Sequence, residues 1–242
     1  MRRVAGLLAG TAVAVVATAA AALSDGRDEA VFDLVVLGLP AGQLTVAASV
    51  NEGGYAAAAR LRSSGVAALV RRLRFDASVQ GYVEAGRLVP ARYSEDVNTG
   101  RRESRTVMEY TRGVPRVISM EPEREPRPHH LDPATQGGTL DPMTALFRVL
   151  RDVPPAEACR LTLDLFDGRR RAQVAMVERR ERGDEVICAG EFRRIAGYSE
   201  RELSEARRFP FRMHYRDNGD GMLRMVRLDA ESQMGSARLM RR

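Results

Sequence analysis

The chain has 242 residues, a net charge of +6, two cysteines and no tryptophan. All of its basic residues are arginine, which reflects GC-rich codon usage, and acids are interleaved with them, as in Glu121, Glu123 and Glu125 beside Arg124 and Arg127. No one-signed stripe results, which argues against nucleic acid as a partner, and the missing tryptophan removes a common platform for stacking sugars.

Met1-Arg2-Arg3 opens onto an uncharged stretch over 4–23 that ends near the small-residue run Ala20-Ala21-Ala22. Export machinery and signal peptidase read this combination, so residues 1–23 are expected to be a cleaved secretory signal. The rival reading is a retained anchor, because a spanning helix needs ~20 apolar residues. Alanine dominates the stretch, which favours cleavage. The absence of a cysteine just after it closes the lipoprotein route, and Val4-Ala5-Gly6 lacks the context of a twin-arginine signal. The mature chain of about 218 residues is then expected to be periplasmic and to keep no membrane span.

Turn signals recur about every ten residues along it, at Pro40-Ala41-Gly42, Glu52-Gly53-Gly54, Ala85-Gly86, Thr99-Gly100, Arg112-Gly113, Asp167-Gly168, Arg182-Gly183-Asp184 and Asn218-Gly219-Asp220-Gly221. Residues 31–37 are nearly all apolar, and Leu161, Leu163 and Leu165 alternate with Thr162, Asp164 and Phe166. The pattern predicts a mainly β protein, an antiparallel meander forming a strongly curved sheet or barrel, since a flat sheet of so many strands would leave its apolar face uncovered. A short helix is expected at about 64–71, where Val66, Leu69, Val70 and Leu73 share a face.

Residues 121–140 hold Pro122, Pro126, Pro128, Pro133, Gly137 and Gly138, and read as an exposed connection between two groups of strands within one domain spanning 24–242. A split into two domains at this point is the alternative. Asp141 as N-cap and Pro142 at the first helical position start a clearer helix at about 141–152, with Met143, Leu146, Phe147 and Leu150 on one face. Such a helix seals an open end of the sheet, either as a core plug or with Met143 and Phe147 facing a ligand.

Two cysteines in an exported chain, Cys159 and Cys188, raise a disulfide. Hairpin tips at Asp167-Gly168 and Gly183 would put them on opposite sides of one strand, roughly 9.5 Å apart and beyond the ~7 Å Cα limit for a bridge. A bond therefore requires Cys159 to lie in the loop before its strand, where Pro154-Pro155 lets the chain fold over. Two small core residues are the alternative.

Chemistry is sparse. His129-His130-x-Asp132 is the best metal-ligand cluster available, although adjacent histidines in an extended chain point opposite ways, and no metal is expected. Zinc-protease, nucleophile-elbow and phosphate-loop motifs are missing, and no cofactor is expected. Asp96, Asp164, Asp167 and Glu191 could supply a hydrolytic carboxylate pair, but nothing in the sequence brings them together. Asp167-Gly168-Arg169-Arg170-Arg171 reads as a type I′ turn. Its arginines either end a solvated strand or grip a carboxylate, phosphate or lipid headgroup.

Leu37-Gly38-Leu39-Pro40-Ala41-Gly42, Gly86-Arg87-Leu88-Val89-Pro90 before Tyr93, the run from Gly137-Gly138 through Asp141-Pro142 to Ala145, Phe166-Asp167-Gly168-Arg169-Arg170-Arg171, Cys188 and Ala196-Gly197 form a wider pattern. It resembles the exported bacterial proteins grouped as domain of unknown function 3108. The likeness covers most of the mature chain; the aromatic that often follows the arginine run is Ala172 here. The resemblance implies an envelope location and a β-rich fold, without a reaction or a site. The expected role is a non-catalytic periplasmic protein that binds an apolar or acyl ligand or docks an envelope partner. The alternatives are a filled barrel acting only through its surface, and an envelope hydrolase.

Overall fold

The computed structural model describes residues 26–65, 73–123, 125–232 and 235–242. The expected signal at 1–23 lies outside these residues, as does most of the short helix expected at 64–71.

Two meanders make up the molecule. The first runs through β1 (Gly26–Val36), β2 (Leu39–Val50), β3 (Gly54–Ser63), β4 (Arg74–Glu84), β5 (Arg87–Asn98), β6 (Glu103–Thr111) and β7 (Val114–Glu121). A 3-10 turn (Pro133–Thr135) and α1 (Pro142–Leu150) follow. The second meander is β8 (Thr162–Phe166), β9 (Arg171–Arg182), β10 (Glu185–Ala196), β11 (Arg208–Asp217), β12 (Leu223–Ser232) and β13 (Gly235–Arg241), with α2 (Glu200–Glu205) between β10 and β11. Antiparallel pairing of β1 with β13, in the register Phe32 to Arg241 and Leu34 to Leu239, joins both meanders into one sheet of order 7-6-5-4-3-2-1-13-12-11-10-9-8.

Consecutive strands β7 and β8 therefore occupy opposite edges of the sheet, and curvature returns them to each other. A methyl group added at Gly168, in the β8–β9 turn, would lie 2.9 Å from Met120 Cε and 3.4 Å from Val117 Cγ2 of β7. The two edges share no ladder. The chain between them serves as a strap: the Gly138 amide donates to the Gly113 carbonyl (3.0 Å), that of Leu140 to Asp164 (2.8 Å), and that of Leu131 to Arg169 (2.9 Å), while the Leu140 carbonyl accepts from Phe166 (2.9 Å).

The connection over 121–140 is thus tied to the sheet along its second half. Most of its first half is exposed, but the second is folded into the seam, with Gln136 and Thr139 buried. The left-handed backbone at Gly138 (φ 79) makes the turn, and the Thr139 hydroxyl donates to the Gln136 carbonyl at 2.7 Å.

Inward side chains fill the curved sheet. Phe32, Tyr93, Met108, Phe166, Met213 and Met225 are fully buried, while Ala57, Ala59 and Ala77 keep β3 and β4 low where α1 lies across them. Asp141 caps α1 and Pro142 occupies its first turn. The short α2 was missed at the sequence level, although Ser199-x-x-Glu202 forms a reciprocal capping box at its start.

Cys159 and Cys188 are bonded, with Cα atoms 5.1 Å apart. Cys159 sits in the turn before β8 in a left-handed conformation (φ 63), and this lets the chain reach past β9 to the buried Cys188 of β10. The bond closes a loop of about 30 residues, and its chain-entropy effect is about 3 to 4 kcal/mol. Reduction of the disulfide is expected to lower the unfolding free energy by about that amount in urea titrations followed by circular dichroism. Identical curves for the oxidised and reduced chains would contradict this.

Candidate functional site

A chain of buried polar groups runs under the seam. The Asp141 carboxylate is completely buried; its Oδ1 accepts the Met143 and Thr144 amides at 2.9 Å and its Oδ2 accepts the Thr144 hydroxyl at 2.5 Å. Because Thr144 donates there, the Tyr55 hydroxyl, 2.6 Å away, donates to Thr144 Oγ1. Burial first, and the nearby Asp141 carboxylate second, hold both the Tyr55 and Tyr110 hydroxyls above the usual tyrosine range. The same network pins α1 to β3. On β5, the Tyr93 hydroxyl donates to Glu95 Oε2 at 2.7 Å.

Above these groups lies the β8–β9 turn. The expected type I′ turn is replaced by a wider one: Phe166 pairs with Arg171, the Asp167 amide donates to the Arg170 carbonyl at 3.2 Å, and of Asp167 and Gly168 only the glycine has positive φ (97). The Asp167 side chain does the work that a second left-handed residue would have done. Its Oδ1 accepts the amides of Arg169 (2.9 Å) and Arg170 (2.8 Å). Gly197 (φ 86) lets the following loop lie directly on this turn, since a Cβ there would meet the Arg169 carbonyl oxygen at 2.5 Å.

The three arginines of the turn separate. Arg171 pairs with Asp164 across β8 and β9 at 2.9 Å. Arg170 pairs with Glu202 at 3.3 Å and lies over the Tyr198 ring, 5.3 Å from its centroid. Arg169 lines two adjoining crevices. One, of about 370 Å³, also carries Arg102, Arg127, His130, Arg170 and Arg201. The other, of about 240 Å³, carries Arg102 and Arg170 with Glu95, Thr106 and Asp167. Together they form a polar groove along the seam. Burial raises the Glu95 and Asp167 carboxyls above the ordinary range; His130 is lowered by burial and then by Arg169, His129, Arg170 and Arg127.

The other residues singled out by sequence do not converge. Asp132 caps the 3-10 turn through the Ala134 amide (2.9 Å), and His130 Nδ1 accepts the Arg127 amide (3.1 Å). Among the described residues no three ligand-type side chains come together for a metal. Asp96 pairs across strands with Arg74 and Arg105, and Glu191 pairs with Arg193 on its own strand and Arg208 on β11. Met143 and Phe147 are packed in the core and line neither crevice. Arg102, Arg127 and Glu95 were missed, since isolated charged residues carry no sequence signal; Tyr93 lay within the pattern of resemblance without a role.

A family model described as "Protein of unknown function (DUF3108)" matches residues 31–242. The chain belongs to that family. No curated protein matches this DUF3108 chain. A crystal structure titled as a β-barrel-like protein of domain of unknown function DUF1849 from Brucella abortus is similar to it over 90% of this chain and 96% of that one, at 12% identity and a TM-score of 0.49. Among the described residues, no helix is long and apolar enough to cross a membrane.

Asp141 gives the polar chain a measurable signature. Burial, opposed by its hydrogen bonds to Thr144 and Met143, pushes its carboxyl up to about 6. A folded-state value above the unfolded one means that the folded chain binds the proton more tightly. This contribution is therefore greatest below about pH 4 and declines by roughly 3 kcal/mol as the pH rises through 6. Asp141→Asn keeps an acceptor for the two amides and cannot ionise. Its stability relative to wild type is expected to rise by about that amount between pH 4 and 7 in denaturant titrations. A difference independent of pH would contradict the assignment.

Proposed function

We propose that this DUF3108 protein is exported to the periplasm after cleavage at about residue 23 and acts there without catalysis, binding an envelope component in the groove at its seam. Sequence supports export, through the basic start, the apolar stretch and the run of small residues before Ser24. The observation that carries the surface reading is the packing beneath α1. Met143, Ala145, Phe147 and Leu150 are buried against a filled interior, which favours a surface site over an apolar ligand held beneath α1. The groove, by contrast, is open and polar, lined by loops, the β8–β9 turn and α2, with strand residues of β5 to β7 at its other end.

A hydrolase is the second reading, favoured by Glu95 and Asp167 in one crevice, both held above the usual carboxylate range by burial. Structure accounts for each without a reaction: Glu95 accepts the Tyr93 hydroxyl and Asp167 holds the turn amides.

Native mass spectrometry of protein purified from its own envelope tests the proposal. The expected species is the chain beginning near Leu23 or Asp25, with no acyl compound attached. A co-purifying acyl ligand, or a mass that retains residues 1–23, would contradict it.

A further inference from the structure

Five arginines border the 370 Å³ crevice, and their pairing is unequal. Arg170 is committed to Glu202 and Tyr198, and Arg201 to Glu205 at 2.9 Å. Arg102 and Arg127 have no carboxylate within 4.0 Å among the described residues, although elsewhere on the molecule most of the arginines on the sheet are matched by acids across neighbouring strands. Three other arginines line the same concavity, against three glutamates, Glu125, Glu202 and Glu205, of which the last two are paired with Arg170 and Arg201. Around it the positive field is strong enough that Arg169, Arg170 and Arg127 all act on the His130 imidazole.

The backbone is fixed there as well. Asp167 ties down the amides of Arg169 and Arg170, Gly197 seats the neighbouring loop against the same turn, and Tyr198 holds the Arg170 guanidinium by its face. A guanidinium held in place loses little freedom when it binds, and its planar fork matches phosphate oxygens. The adjoining crevice carries Thr99 and Ser104 beside the carboxylates of Glu95, Glu103, Glu121 and Asp167, a polar lining for the body attached to the anion. A combined space of a few hundred Å³ falls in the range of small-ligand sites.

We infer that the seam groove binds a phosphate-bearing polar group, with Arg102 and Arg127 as its principal partners and Arg170 as a pre-set third. The inference rests on the proposed reading of the groove as the binding surface and specifies its ligand class. A lipid headgroup and a free phosphate ester present the same chemistry, so the test separates the two sources.

Isothermal titration of the full oxidised chain with glycerol 3-phosphate and with inorganic phosphate, at about 150 mM salt where exposed charges are screened, is expected to show saturable binding. Arg102→Gln and Arg127→Gln should each weaken it about tenfold, and Arg116→Gln, an exposed arginine on β7 outside the groove, should leave it unchanged. Circular dichroism checks that each variant is folded. In parallel, retention on phosphatidylglycerol vesicles and not on phosphatidylcholine vesicles, relieved by glycerol 3-phosphate, would identify a lipid headgroup. Binding of the free ester without vesicle retention would identify a soluble source, and both results support the inference. A folded wild type that binds neither probe overturns it, as does an equal loss in Arg116→Gln. An acyl adduct in the mass measurement would end the surface reading and this inference with it, whereas absence of phosphate binding by an adduct-free chain would end this inference alone.

Discussion

A long antiparallel sheet has two edges, and the backbone groups along them must be paired, covered or blunted. In this chain the constraint falls on β7 and β8, consecutive in sequence and at opposite edges of a sheet of thirteen strands. Pairing them directly would make an ordinary closed barrel. The molecule uses a strap instead, and the rest of the structure follows from it. Leu140 pairs with Leu165 in parallel, Gly138 reaches back to Gly113, and Gly168 lets the last turn press on Val117 and Met120. On the outer part of β7, a bulge at Ile118 and the proline at 115 further blunt the edge.

A seam closed by a loop brings polar backbone inward, and those groups need partners. Asp141, Thr144 and Tyr55 supply them at the start of α1, while Asp167 does so at the β8–β9 turn. The side chains that remain at the seam's surface include arginines from four separate stretches of chain, interspersed with glutamates, which meet because the edges meet. Interior and groove thus have different characters for one reason. The sheet fills where it pairs with itself and stays polar where it does not.

Much of the fold was legible in the sequence. Glycine-marked turns about every ten residues and alternating apolar residues report local geometry, which a one-dimensional pattern can carry. Asp141-Pro142 at a helix start is equally local. The seam was not legible, because it joins Gly113 to Gly138 and Gly168 to Met120, and no periodicity encodes which edges meet. Pro- and Gly-rich composition over 121–140 marks the exposed stretches of the connection but not the hydrogen bonds that tie its second half to the seam. Of the groove, Arg169 and Arg170 were visible as part of a dense motif, whereas Arg102, Arg127 and Glu95 enter through tertiary structure alone. Arg171, next in the same motif, is spent on Asp164.

The central claim is that the strap, and not a ladder between β7 and β8, closes the barrel. Amide hydrogen exchange followed by NMR tests it most directly. The account predicts that the Gly138, Leu140 and Phe166 amides are protected as strongly as those in the centre of β1 and β13, and are lost in the same global opening. Exchange of the strap amides at the rate of an exposed linker, while the central strands stay protected, would contradict it.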